Sequence, residues 1–160
     1  MALFIGLNPS TADAESNDPT IRRECGFAES WGYTGTRVDE AGNAWGAVIE
    51  GPHRYALWRP GLVKCNLYAL RSTDPAALLS AADPVGPKND EHLRREIARA
   101  PIVICAWGSH PAANRNLRAS TVKEMIRAAG KVPHAIRLTK GGHPEHPLYL
   151  PKTLRPLEMQ

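Results

Sequence analysis

Asparagine and histidine side chains follow the ends of apolar runs in this sequence, where folding can bring them together. Asn8 follows the run that starts at Ala2, Asn66 ends a second run, and His143 and His146 lie in a late loop rich in glycine and proline. A neutral amide is a poor base, but its oxygen can orient a water molecule, and an imidazole N–H can stabilise a developing oxyanion. These residue types therefore favour attack of water on a bond whose leaving group becomes an anion.

The elements that position these residues alternate between strand and helix patterns. Continuous apolar runs predict buried strands at about 2–7, 62–68, 101–107 and 134–138. Helical spacing and capping signals predict helices at about 19–31, 76–81, 89–100 and 120–129. This order predicts a three-layer α/β/α fold with a mainly parallel four-stranded central sheet, formed by a single domain over residues 1–160.

The ends of the four predicted strands should share one edge of that sheet. Ligands of open α/β sheets bind at the carboxyl ends of the strands. We therefore expect Asn8, Asn66, Gly108 and the loop from His143 to His146 to line one cleft. The alternative is that the two asparagines only cap the helices that follow their strands.

The segment at about 36–60 departs from the alternation. Its short apolar stretches are separated by glycine-containing turns, which predicts a small excursion of antiparallel β-hairpins beside the main sheet. Its aromatic residues and arginines could contact a ligand or cover a sheet edge, and we favour the covering role.

Composition sets the class of protein. The 160 residues are 42% hydrophobic and 22% charged, which is ordinary for a soluble globular domain, and no apolar run is long enough to span a bilayer. The start lacks the basic region of a signal peptide, so we expect a cytoplasmic protein without a membrane partner. The net charge of +4 permits a polyanionic partner.

Cysteine and histidine spacing gives no sign of a metal or redox cofactor. Cys65 and Cys105 lie in apolar runs and should be buried thiols, and the three cysteines have no CxxC spacing. His143 and His146 are close enough for a metal pair, but no nearby ligand set completes a site. We therefore expect no metal and no cofactor, with Trp107 in the core.

Several motifs resemble those of a bacterial family, domain of unknown function 1643. The resemblance covers nearly the whole chain except about 36–60, which looks like an insertion, and it implies no settled activity. The motifs that carry it are Leu7–Asp13, Asp18–Arg23, Asn66–Arg71, Asp83–Pro87 with Asn89 and Asp90, Ala106–Gly108 and His146–Pro151.

A fainter resemblance is to the uracil-DNA glycosylase superfamily, in particular its mismatch-specific branch. Gly6–Pro9 is similar to the water-positioning motif of that branch, and Leu62–Asn66 resembles the strand whose last asparagine reads the base. Ile104–His110 resembles the apolar strand that ends Trp-Gly-x-His, and His143–Leu148 is similar to the histidine loop. The extra residue in this loop leaves open whether His143 or His146 is the equivalent histidine. The strong catalytic aspartate of the uracil-specific branch is absent, as are the cysteines for an iron–sulfur cluster.

This resemblance implies a uracil-DNA glycosylase-like fold and a set of roles. Asn8 would orient water and His146 or His143 would polarise the leaving base, while Tyr149 and Leu150 could wedge into the base stack. The residues expected to bind substrate are Gly6, Pro9, Ser10, Asn66, Tyr68, Gly108 and Tyr149. The residues expected to contact the nucleic acid are Arg22, Arg71, Lys140 and Leu150, with at most one of Arg22 and Arg23 facing the pocket.

The leading hypothesis is a monomeric DNA glycosylase-like enzyme that hydrolyses the N-glycosidic bond of a flipped uracil or another modified or mismatched base. One alternative is a hydrolase or transferase of free or modified nucleotides, and another is a nucleic-acid-binding domain without activity. An α/β domain for an unrelated small ligand is the remaining alternative. A basic rim with an exposed wedge at Tyr149 would favour DNA, whereas a closed pocket would favour nucleotides.

Overall fold

A computed structural model describes residues 1–9, 19–33 and 61–160 in full, and four short strands between them by backbone alone. The strands are β1 (Ala2–Gly6), β2 (Arg37–Val38), β3 (Ala44–Trp45), β4 (Ala47–Glu50), β5 (Tyr55–Trp58), β6 (Leu62–Asn66), β7 (Val103–Cys105), β8 (Pro133–Ala135) and β9 (Leu157–Glu158). The helices are α1 (Pro19–Ser30), α2 (Ala77–Ser80), α3 (Asn89–Arg99) and α4 (Arg118–Ala128), and 3-10 segments cover Pro111–Leu117 and Pro147–Tyr149.

The central sheet has five strands in the order β6-β1-β7-β8-β9. The first four are parallel, with Gly6 beside Asn66 and Ile5 beside Cys105, which confirms the prediction of a mainly parallel sheet. The prediction of four strands was wrong by one, because β9 joins the edge antiparallel to β8. This strand is only two residues long and both are exposed, so no apolar run announces it.

Helices cover both faces of the sheet. On one face, Phe27 and Ala28 of α1 pack with Phe4 and Ile104 of the strands. On the other face, α3 and α4 pack over a larger core that includes Leu3, Ile5, Leu93, Ile97, Val122 and Ile126. Side chains alternate between the faces along each strand, so neighbours in register share a face. We call these the α1 face and the α3/α4 face.

The predicted helices lie close to their observed bounds. Leu93, Ile97 and Ala100 are buried on one side of α3, as their spacing indicates, and Trp107 is buried in the core. Cys65 and Cys105 are buried free thiols, as predicted. No helix in the described part of the chain is long and apolar enough to cross a membrane.

The predicted hairpin excursion corresponds to two small antiparallel pairs. β2 pairs with β3, and β4 pairs with β5, both separately from the central sheet. The prediction of antiparallel hairpins is therefore confirmed for the strands described.

Candidate functional site

The chain order of the strands reverses at β1, and the carboxyl edge of the sheet is where we expect a ligand site. β6 lies on one side of β1, whereas β7 and β8 follow on the other side. In open α/β sheets this reversal leaves a crevice at the strand ends, and ligands bind there. The segments at this point are Gly6 to Pro9 after β1 and Ala106 to Gly108 after β7.

Gly6 lies beside Asn66 at the ends of β1 and β6. A Cβ atom at position 6 would lie 2.7 Å from Asn66 Oδ1, so any side chain at this position would require the Asn66 amide to shift. Among the described residues the Asn66 side chain makes no hydrogen bond, although its backbone oxygen accepts one from Asn89 Nδ2 at 3.2 Å.

Asn8 differs from Asn66, because its amide nitrogen anchors a neighbouring loop. Nδ2 donates to Ser72 O at 2.8 Å, to Pro9 O at 3.1 Å and to Leu70 O at 3.4 Å. These bonds fix the orientation of the amide plane and leave Oδ1 as its acceptor. The Asn8 side chain thus both supports the loop after β6 and holds an oxygen in a defined direction.

Gly108 and His146 meet at the end of β7. Gly108 has φ +75°, and a Cβ built on it would lie 3.7 Å from His146 Cβ. His146 caps the 3-10 turn that starts at Pro147, since its Nδ1 accepts from Leu148 N at 3.4 Å. An acceptor at Nδ1 places the proton of the neutral ring on Nε2, which is then a donor.

His110 repeats this arrangement. It precedes Pro111, and its Nδ1 accepts from Ala112 N at 3.2 Å at the start of the other 3-10 segment. Two His-Pro turns thus fix the same tautomer, and the one at His146 is the one that contacts Gly108.

His143 lies in a separate hairpin turn. Its backbone bonds to Thr139, and its imidazole packs against Gly141, with Cδ2 3.3 Å from a Cβ built there. A bidentate ion pair between Arg137 and Glu145, at 2.8 and 2.7 Å, closes the base of the turn. Of the two histidines left open by the sequence, His146 is the one beside a strand end of the sheet.

Two charged residues that were not predicted as site residues form an ion pair next to Gly6. Glu24 of α1 is 0% exposed and its Oε1 is 2.5 Å from Lys64 Nζ of β6. Lys64 Nζ would also lie 2.8 Å from a Cβ at Gly6. Spacing could have identified both. Glu24 is three residues from Ile21 and from Phe27 on the inner face of α1, and Lys64 interrupts an apolar run.

The prediction that Leu150 contacts nucleic acid as a wedge was wrong. Leu150 is 1% exposed and packs with Phe4 and Phe27 in the core of the α1 face. Arg23 donates a hydrogen bond to Leu150 O, which ties α1 to the segment after His146. Tyr149 is 87% exposed, so of these two residues only Tyr149 remains a candidate for the predicted wedge.

The prediction that Tyr68 binds substrate at this site was also wrong. Its ring is buried on the α3/α4 face and its hydroxyl donates to Ala112 O at 2.7 Å. There it borders a cavity of about 240 Å³. The cavity is also lined by Ala82, Asp83, Pro84, Val85, Arg115, Asn116 and Arg118. An apolar run continues through Tyr68, and the run alone does not tell which face the ring takes.

The remaining predicted residues lie at the surface or beyond the described part. Arg22, Arg71 and Lys140 are exposed, and Pro9 is half-buried beside Asn8. Ser10 lies outside the described residues. Within the described residues, no group of three or more histidine, cysteine or acidic side chains could hold a metal ion.

Burial raises the pKa of the two cysteine thiols in the core. Burial raises the pKa of Cys65 to about 11, with a smaller contribution from Glu96, and Lys64 acts in the opposite direction. Burial also raises the pKa of Cys105. Both thiols are therefore protonated at neutral pH and unsuited to act as nucleophiles.

The family comparison bears on the same residues. A model of DUF1643, protein of unknown function, matches residues 1–40 and 54–148. The chain belongs to the DUF1643 family. The matched segments include Gly6, Asn8, Asn66, Gly108 and His146, whereas 41–53 falls outside, a narrower gap than the insertion expected at about 36–60. No curated protein and no solved structure matches the chain.

Proposed function

We propose that this DUF1643 protein hydrolyses the N-glycosidic bond of a uracil or another modified or mismatched base flipped out of DNA. The observation that carries the proposal is the strand-end site, defined as Gly6, Asn8, Asn66, Gly108 and His146. Two adjacent strand ends lack side chains at Gly6 and Gly108, and each has a polar side chain beside it. A flat base suits such a floor, because a planar ring needs close backbone approach and hydrogen bonds at its edge.

The proposed reaction uses groups whose orientation is set. Cleavage builds positive charge on the sugar and negative charge on the base. Asn8 Oδ1 orients the attacking water, since the Nδ2 bonds to the loop after β6 hold its amide plane. His146 Nε2–H donates to the departing base, because its Nδ1 is the acceptor in the cap of the following turn.

The surface around the site suits DNA. Arg22 and Lys140 are exposed on α1 and on the turn that precedes His143, and Tyr149 extends into solvent one turn beyond His146. Arginine and lysine position phosphates, and an exposed ring can fill the space that a flipped base leaves. The uracil-DNA glycosylase-like fold is part of this proposal, and the parallel order β6-β1-β7-β8 supports it.

The test is a screen of oligonucleotides that carry uracil, hypoxanthine, xanthine or a mismatch, read by alkaline strand scission after single-turnover incubation. We expect cleavage at one of these bases. Asn8→Ala and His146→Ala should each reduce the single-turnover rate on the order of 100-fold while affinity stays nearly unchanged, since both act in the transition state. His143→Ala is the matched control, because it removes an imidazole from the same loop, and we expect little effect.

Affinity should also fall steeply with salt, because phosphate contacts release counterions. Binding without cleavage of any base would make the protein a nucleic-acid binder. Cleavage of free nucleotides without affinity for oligonucleotides would make it a nucleotide hydrolase. If Asn8→Ala retains the full rate, the mechanism is wrong, and if only His143→Ala abolishes cleavage, the two histidines exchange roles.

A further inference from the structure

Lys64, on the α1 face of the sheet, is held at the strand-end site by the buried carboxylate of Glu24. Lys64 is in register with Phe4 on the α1 face, and its side chain is 24% exposed. Glu24 is fully buried, and a buried carboxylate is stable only when paired. The 2.5 Å ion pair therefore fixes the position of the ammonium group.

The ammonium and the Asn66 amide meet above the same glycine. A Cβ at Gly6 would lie 2.8 Å from Lys64 Nζ and 2.7 Å from Asn66 Oδ1. A donor and an acceptor therefore lie side by side at a position without a side chain.

We propose that Lys64 and Asn66 together read the edge of a base on which a carbonyl is adjacent to a ring N–H. This inference rests on the proposed function and specifies its substrate class. Lys64 Nζ donates to the carbonyl and Asn66 Oδ1 accepts from the N–H. Uracil, thymine, hypoxanthine and xanthine present such an edge, whereas cytosine and adenine present an amino group adjacent to an unprotonated ring nitrogen.

Lys64 determines which of the two kinds of base edge can pair at this position. An asparagine alone can rotate its amide to pair with either kind of edge, because it has both a donor and an acceptor. An ammonium has three donors and no acceptor, so an amino group placed against it leaves both unpaired. Glu24 keeps the ammonium in place and balances its charge.

Affinity for bases that cannot be cleaved tests this reading separately from hydrolysis. The probes are duplex oligonucleotides with one mispaired 2′-fluoro nucleoside of uracil, cytosine, hypoxanthine or adenine, because fluorine destabilises the cationic sugar and blocks cleavage. We expect wild type to prefer uracil over cytosine, and hypoxanthine over adenine, on the order of 10- to 100-fold.

The variant is Lys64→Met combined with Glu24→Gln, since it removes both charges of the ion pair together. We expect it to lose most of the preference. Lys131→Met is the matched control, because Lys131 donates to Ala100 O away from the strand-end site, and it should keep the preference. Gly6→Ala, which displaces both Lys64 and Asn66, should also lose it and gives a second readout if the double variant does not fold.

The results separate the two proposals. A preference that is absent in wild type, or unchanged in both the double variant and Gly6→Ala, overturns the reading role even if ordinary uracil is cleaved. A preference that wild type shows and these variants lose supports the reading role even if no base is cleaved, and then hydrolysis alone is wrong.

Discussion

Each face of the sheet carries an ion pair with one buried member, and the cations of the two pairs have different surroundings. On the α3/α4 face, Arg118 is 5% exposed and its Nη2 lies 2.6 Å from Asp90 Oδ1. Its Nε donates to Leu67 O at 2.7 Å, and its guanidinium lies 6.0 Å from the centre of the Tyr68 ring. On the α1 face, Lys64 pairs with Glu24 and lies against Gly6.

The difference separates a structural pair from a pair at a site. Arg118 donates to the main chain at the end of β6 and packs on an aromatic ring, so its contacts belong to the protein. Lys64 faces a position without a side chain, next to an amide that has no hydrogen bond among the described residues. Burial of a charge alone therefore does not mark a functional residue, and the position of Lys64 beside Gly6 at a strand end is what supports the role proposed for it.

The largest effect should follow from Arg118→Met. Loss of the guanidinium removes the bond to Leu67 O and leaves Asp90 without its partner, so we expect the free energy of unfolding to fall by about 3 kcal/mol. Denaturant unfolding measures it. Arg127→Met is the control, because the Arg127–Glu124 pair is exposed and should contribute under about 0.5 kcal/mol. Equal losses in both variants would contradict a structural role for Arg118.

A smaller effect should follow at the other pair. Lys64→Met alone removes the ammonium group that lies 2.5 Å from Glu24 Oε1, and we expect a loss of about 2 kcal/mol, smaller than at Arg118 because Lys64 is partly exposed. The double variant Lys64→Met with Glu24→Gln should recover at least half of this loss, since neither charge remains. A double variant as unstable as the sum of the two single variants would show that the pair is not coupled.

The strands and helices that carry these ion pairs are largely predictable from the sequence. Long apolar runs give β1, β6 and β7, and helical spacing gives α3. Leu93 and Ile97, for example, are buried as their positions indicate. The short edge strand β9 is not predictable, because its pairing with β8 depends on tertiary contacts and no apolar run marks it.

The site is predictable only in outline. The sequence predicts that the parallel strand ends share one edge, but that β1 and β6 are neighbours with Gly6 beside Asn66 is known only from the structure. The different uses of Asn8 and Asn66 are not predictable, because the carbonyls of Leu70 and Ser72 that bind Asn8 are distant in sequence. Glu24 was missed because a single charge in a helix usually faces solvent.

Cys65 lies on β6, the strand that also carries Lys64, but its side chain is on the α3/α4 face. The pH dependence of stability tests whether its thiol is buried there. Burial raises its pKa from 9.0 to about 11, so the unfolded chain loses the thiol proton before the folded chain does. The free energy of unfolding should therefore fall as pH rises from about 9 to about 11, on the order of 1–2 kcal/mol. Cys65→Val should show a smaller fall than wild type over this window in denaturant unfolding at each pH. Identical profiles for Cys65→Val and wild type would contradict the burial of this thiol.

The smallest effect should come from a third ion pair, which is exposed at the hairpin before His146. Arg137 hydrogen bonds to Glu145 and lowers the pKa of that carboxyl, which stabilises the folded state above the carboxyl's usual range and is lost as pH falls through the lowered value. Arg137→Gln should raise the pKa of Glu145, measured by NMR titration, and Arg137→Lys should raise it less because a cation remains.

The cleavage rate should change little in Arg137→Gln. Main-chain bonds hold the hairpin independently, from Thr139 N to His143 O and from Glu145 N to Arg137 O, each at 2.9 Å. Arg23 also anchors the segment after His146 through Leu150 O. A rate as low as that of His146→Ala would instead mean that the exposed pair positions the imidazole. An exposed ion pair would then contribute to this site as much as a pair with a buried member does.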